Sequence, residues 1–477
     1  MQRFLYGDYK PDQPANLNDG LTACSGVYPI ANGYAPLPSF SAMQNGTLAG
    51  VCLGAGGYRY TGSSYLFAAT ATNIYTYSLA GYTSIKGSLT TPPDNTVRFC
   101  PYGAYMLITN GTNPIQKFDP ASPSATTDLN ASAPTARFLA VVRGFVVAGY
   151  AGGSPLRVQW SDTGNSASWT PGSSSQAGQY DMASGGDITG VVGGEYGLIF
   201  QERRIVRMSY TATDTVWSFD ELATDVGCVA PRSLATFGRV TFCWSNKGFI
   251  ACDGSSVQLI GDEKIDRTFA ALSSASYFDK ISAVVDPRRS LYIVAVPSSN
   301  PASQIFIYNY ALQRWSTAQV TAEFLFSALS LTTSLEDLDA IYGNLDAIPF
   351  SLDSAQLSTS YPLLLLFDGS HRLGSLSGPN IAASFSDGIK EYVPGYVARV
   401  RAVRPLCDAG SVSVTYSGRN ALSDTETATT YNTRTHAGVV RVRENWNLAQ
   451  VTIDIPAGTS WSFIQGYDID VQAGRML

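Results

Sequence analysis

One phrase recurs along this chain. At intervals of roughly 40–50 residues an apolar run meets a short polar turn and then a second β-rich run. The cores of the phrase are LFAATATNIYTY at 66–77, YMLITNGTNPIQKF at 105–118 and GFVVAGYAGGSPLRVQW at 144–160. They continue as GLIFQERRIVRMSY at 197–210, TFCWSNKGFIACDG at 241–254 and LYIVAVPSSNPASQIFIYNY at 291–310. A period of this size with several strands per unit predicts a β-propeller. A propeller is a scaffold, so any activity has to be sought in what is mounted on it.

The totals agree with that architecture. The 477 residues exceed one compact core, so two or more domains are expected. Tyr (27) and Phe (21) are abundant, as befits twisted sheet. Charged residues make up only 14%, against roughly 25% in ordinary soluble domains. So little charge suits a surface covered in an assembly better than that of a free monomer. The net charge is −6. The densest basic clusters, Arg203-Arg204-Arg207 and Arg399-Arg401-Arg404, are interleaved with apolar residues and read as polar positions along strands. A protein that grips DNA should be basic, whereas one that lets DNA pass gains by being neutral or acidic.

The seven cysteines, at 24, 52, 100, 228, 243, 252 and 407, are odd in number and have no CxxC spacing. They read as buried free thiols made in a reducing cytoplasm. The only two histidines, His371 and His436, are far apart and offer no zinc site. No signal peptide is expected at MQRFLYGDYKPDQ, and no apolar stretch of about 18 residues predicts a membrane span.

Residues 1–50, rich in Pro, Gly, Asn and Ser, read as an extended N-terminal arm laid on another surface. The propeller is placed at 51–379, with six blade-like units up to about 320. Bulky aromatics are expected to fill the wedges between blades. Trp169, Trp217 and Trp315 each fall late in a unit, where an outer strand would begin. Residues 321–361 break the pattern as an inserted segment. Within it, 333–358 is acidic, with Leu335, Leu338, Ile341 and Leu345 at helical spacing. It is either a loop on its own propeller or a contact to a neighbouring subunit. Strand pattern returns at 362–378, which either closes the ring or makes a seventh blade. From 380 to 477, runs at 396–406, 411–418, 438–444, 449–457 and 461–472 alternate cleanly and predict a β-sandwich-like C-terminal domain.

No catalytic, cofactor-binding or metal-ligating residue is nominated. GxSxG, HExxH, the P-loop and the dinucleotide fingerprint are all absent from the sequence. His371 and His436 stand in polar turns. The segment WSDTGNSASW at 160–169 resembles the Asp-box turn of sialidase propellers, but its spacing is off by a residue, and such boxes are structural turns. The acid pairs Asp337/Asp339 and Asp468/Asp470 have the i, i+2 spacing of one strand face and read as solvated acids.

Longer phrases carry a resemblance. They include PDQPANLNDGLTACSGVYPIANGYAPLPS near the start, VQWSDTGNSASWTPG at 158–172, GGEYGLIFQERRIVRMSY at 193–210 and KGFIACDGSSVQLIG at 247–261. IDRTF, DPRRSLYIVAVPS, LEDLDAIYGNLDAIPFSLDS, DGSHRLGSLSGPN and AGTSWSFIQGYDIDVQAGR extend it over most of the chain. Together they resemble the structural tail proteins of short-tailed bacteriophages and prophages, grouped as tail nozzle, tail tubular and packaged-DNA-stabilisation proteins. The resemblance implies a ring of subunits, commonly a homohexamer, below the portal and the tail adaptor of the virion. Such a ring extends the DNA channel, holds the genome until DNA ejection and docks fibres or spikes. Double-stranded DNA passes through the lumen without specific binding. The resemblance implies no enzyme activity and no cofactor. The low charge, acidic balance and cytoplasmic thiols fit a tail component assembled in the bacterial host before lysis.

The expectation is therefore an all-β structural protein, a six- or seven-bladed propeller followed by a small sandwich. The alternative is a glycan-binding or glycan-cleaving propeller acting as a receptor-binding tail component. A cellular propeller serving as a protein-interaction platform explains neither the low charge nor the longer phrases.

Overall fold

Each of the six repeat cores holds the second and third strands of a four-stranded antiparallel blade, and the sixth blade is continued into a larger sheet. The computed structural model describes residues 1–43, 46–92, 94–213, 215–273, 275–296, 304–329, 339, 343–344 and 362–476. The inner strands of blades 1 to 6 are Gly54–Tyr60, Arg98–Tyr102, Ala136–Val142, Ile188–Val192, Ala235–Phe237 and Ser282–Asp286. Second strands such as Leu291–Val296 are buried on both faces, which is why they read as unbroken apolar runs.

A seventh blade follows, and it starts inside the segment expected to break the pattern at 321–361, because Phe324–Leu329 is its inner strand and not part of an insertion. Its inner strand Phe324–Leu329 pairs with Pro362–Phe367, then Leu373–Asn380, and its outer strand is Pro38–Ala42 from the N-terminus. The ring closes where the inner strands of blades 7 and 1 meet. A Cβ on Gly57 would stand 2.5 Å from that of Ala328, so glycine there permits the approach.

Aromatic rings fill the gaps between blades, as the composition predicts. Phe67 of blade 1 stacks on Phe99 of blade 2 at 5.6 Å, and Phe145 of blade 3 meets Trp217 of blade 4 at 5.0 Å. Between blades 5 and 6, Phe249 lies 4.9 Å from Trp315. Trp217 and Trp315 belong to the outer strands Trp217–Ala223 and Arg314–Gln319, whereas Trp169 lies in the turn before the outer strand of blade 3.

Beyond the propeller two sheets share one core. One contains Tyr396–Cys407, Val440–Trp446 and Ile464–Met476; the other contains Ala383–Asp387, Leu448–Ile455, Ser413–Arg419 and Thr427–Tyr431. Val400, Val403 and Ile469 of the first pack with Phe385, Val414, Tyr416 and Ile453 of the second.

The N-terminal stretch, expected as an arm on another surface, is threaded instead through this chain's own sheets. Gln2–Leu5 pairs with Ile464–Met476, and the hairpin Val27–Ile30/Gly33–Pro36 extends the same sheet. Leu21–Ser25 pairs with Ala383–Asp387 on one side and touches Arg314–Gln319 of blade 6 on the other, making a nine-stranded sheet. Thr317 donates through Oγ1 to the Cys24 carbonyl at 2.9 Å, and Ser316 to that of Val27 at 2.8 Å. Pro29 and Pro38 lie on edge strands, where Pro is tolerated.

The acidic stretch 333–358 falls between the first and second strands of blade 7, and apart from 339 and 343–344 it lies outside the described residues. Among the described residues, no helix is long and apolar enough to cross a membrane. Six of the seven cysteines are buried and all are free thiols.

Candidate functional site

The propeller's central channel holds the most unusual chemistry in the described structure. Before the inner strand of blade 5 the chain makes a short 3-10 turn, Pro231–Ser233. From it Arg232, only 5% exposed, reaches across the ring. Its Nε donates to Thr96 Oγ1 at 2.7 Å and its Nη2 to the Asn95 carbonyl at 3.0 Å, both just ahead of blade 2. In return Arg98, on the inner strand of blade 2, donates to the Pro231 carbonyl at 2.7 Å. Two opposite blades are thereby tied across the axis at the end where inner strands begin.

A cavity of about 530 Å³ continues along the channel, from Arg98 and Arg232 to Phe237 and Pro287, where inner strands turn into hairpins. Arg98 keeps some accessible surface because it faces this cavity, yet it lies deep within the molecule. Burial, and then the charge of Arg232, pushes its guanidinium down to about 10. Its Nε is buried and has no hydrogen-bond partner among the described residues. The guanidinium also lies 5.5 Å from the Phe138 ring centre.

On the other side of Arg232 lies a cavity of about 480 Å³, lined by Cys52, Thr70, Thr91, Arg232, Lys280 and Glu323 among others. Here His371 Nδ1 sits 2.6 Å from Glu323 Oε2, and the Cys52 backbone N–H donates to the other carboxylate oxygen. Burial pushes the Glu323 carboxyl up, against the pull of the Cys52 N–H and His371. The pair resembles an acid–base dyad, and the thiol that lines the same cavity is that of Cys52. Burial pushes the Cys52 thiol up, and its Sγ donates to the Gly54 carbonyl at 3.4 Å, so the sulfur stays protonated.

The other residues weighed in the sequence take structural places. His436 is exposed in a turn. In the Asp-box-like segment, Asp162 Oδ1 accepts the N–H groups of Thr163 and Gln176, and Trp169 Nε1 donates to the Ser166 carbonyl at 2.7 Å. It is a turn between the third and fourth strands of blade 3, exposed at 163–165 and anchored by the buried Ser161, Ser166 and Trp169. Asp468 pairs with Arg3 at 2.8 Å rather than with Asp470, and Asp337 lies outside the described residues. Arg204 is buried and bonds Gln201, Ser184 and Glu221, while Arg207 lies over the Tyr196 ring at 4.4 Å. Arg399, Arg401 and Arg404 are exposed on the outer face of the sandwich. Among the described residues no group of three or more His, Cys, Asp or Glu could hold a metal ion.

Sequence reasoning did not nominate Arg98 or Arg232. Arg232 stands 136 positions from Thr96, and nothing local in PRS or VRF marks a cross-ring bond. The one available sign was an arginine beside apolar residues at the start of an inner strand.

No family model matches this chain, and no curated protein matches it. Solved structures of similar fold include BBS1N in complex with ARL6DN, soaked with mercury, at 12% identity and TM-score 0.43, covering 71% of this chain and 96% of that one. The WD40 domain of Neurospora crassa Pan2 is similar at 9% identity and TM-score 0.38, covering 72% and 91%. BamB from Moraxella catarrhalis is similar at 12% identity and TM-score 0.36, covering 73% and 92%. These likenesses concern the fold alone; the count of seven blades comes from the sheets themselves.

Proposed function

We propose that this chain is a structural subunit of a short bacteriophage tail, assembling as a nozzle or hub ring below the portal and adaptor. In this reading it extends the DNA channel, retains packaged DNA, docks fibres or spikes and catalyses nothing. The observation that carries the reading is how the chain is locked. Its first 42 residues supply strands to both sandwich sheets and the outer strand of blade 7, and touch the outer strand of blade 6. Pulling the sandwich from the propeller would load many backbone hydrogen bonds at once, which suits a part that bears internal pressure. The arginine tie across the channel leads us to place the DNA path between subunits, not through a single propeller.

The test is co-sedimentation of the purified chain with portal–adaptor complexes, beside binding to host polysaccharide. The expected result is stoichiometric capture by the adaptor and none by polysaccharide. Polysaccharide binding without adaptor capture would overturn the reading in favour of a receptor-binding propeller.

A further inference from the structure

The outer face of the sandwich concentrates positive charge that the rest of the chain does not have. On the strand Tyr396–Cys407, Arg399, Arg401 and Arg404 are exposed, while Val400 and Val403 point into the core. On the adjacent strand Val440–Trp446, Arg441 and Arg443 are exposed, while Val440 and Val442 point inward. The register sets Ala402 opposite Arg441 and Arg399 opposite Asn445, so these side chains share one face. Against the third strand, Ile464–Met476, a bulge between Val400 and Ala402 leaves Arg401 as the extra, exposed residue. Among the described residues, none of the five has a carboxylate within ion-pair distance. The acids opposite them on the third strand, at Arg404↔Asp468 and Ala402↔Asp470, are two, and Asp468 is already taken by Arg3 at 2.8 Å.

We infer that this face binds the phosphate backbone of DNA without reading its sequence. Alternate residues of a strand lie about 6.5–7 Å apart and neighbouring strands about 4.8 Å apart, so the five guanidiniums form a close grid. Each can fork onto phosphate oxygens. With a screening length of about 8–10 Å, the grid acts as one positive patch although the chain carries a net charge of −6. A protein partner is a poorer fit. Protein interfaces are anchored by buried aromatic or aliphatic side chains at their centre, and the centre of this grid is Ala402. Asn445 and Gln472, opposite Arg399 on either side, add neutral donors of the kind that touch phosphates. The inference does not depend on the tail reading.

The test uses the full chain and a fluorescently labelled mixed-sequence duplex, followed by anisotropy from low to physiological salt. Contact with about four phosphates predicts a log–log salt slope of about −3 to −4. Arg441→Gln with Arg443→Gln should shrink that slope by about two units and weaken low-salt binding about tenfold or more. Both residues are exposed, so thermal stability should not change. Absence of binding at low salt, or an unchanged slope in the double variant, would overturn the inference. Polyglutamate bound as tightly as the duplex would also overturn it and assign the face to an acidic protein.

Discussion

Asp266 shows how one residue here is both necessary and costly. It begins the α-helix Asp266–Leu272, and its Oδ1 accepts the Phe249 N–H at 3.1 Å. It fits only because Gly248 and Gly261 flank it; a Cβ on either would stand 2.0 Å from a carboxylate oxygen. Burial pushes its carboxyl up to about 6, against the Phe249 hydrogen bond. The folded state therefore holds this proton more tightly than the unfolded chain does. The stability it contributes is full below about pH 4 and is lost as pH rises through about 6. Asp266→Asn should melt close to the parent near pH 4 and above it at pH 7. Melting curves across that range check this, and a pH-independent difference would contradict it. Nothing in IDRTF announces the shift, because the cause lies in residues from a neighbouring hairpin. Arg98 and Arg232 were illegible for the same reason. The grid of five arginines was half legible: RVR at 399–401 and 441–443 shows exposed alternation, but only the register reveals that the two runs are neighbours.

At the level of elements, legibility followed burial and locality. The second and third strands of each blade stood out because they are apolar and joined by short turns. Inner strands were harder to see: GAGGYRY at 54–60 trades side chains for close approach, so it carries little periodic signal. The strand Pro38–Ala42 could not be placed at all, since its partner Leu373–Asn380 lies more than 300 positions away. The N-terminal stretch also fastens elements that it does not pair with. Asp12 caps the helix Asp266–Leu272 from outside, accepting the N–H groups of Arg267 and Thr268 at 2.7 and 2.8 Å and the Thr268 hydroxyl at 2.7 Å. Asp12→Ala should cost about 1 kcal/mol, in the range of a lost N-cap, and Asp12→Asn should recover much of it. Urea unfolding reads this as a lower midpoint with an unchanged slope. Equal midpoints for Asp12→Ala and the parent would show that the contact contributes nothing.

For the molecule as a whole, repeat period and aromatic content carried the propeller, and the sheets fix its count at seven blades. What the sequence could not convey is that the chain's beginning closes its own ring and joins it to the sandwich. Chain closure is a property of distant pairs, and neither composition nor periodicity encodes it. The central claim is that this self-locked body is a building block of a DNA-conducting ring. Negative-stain electron microscopy of the purified chain, alone and with portal and adaptor proteins, tests it most directly. The account predicts six-fold rings with a central bore, either free or seated on the adaptor. Particles that remain single propellers in both samples would contradict it.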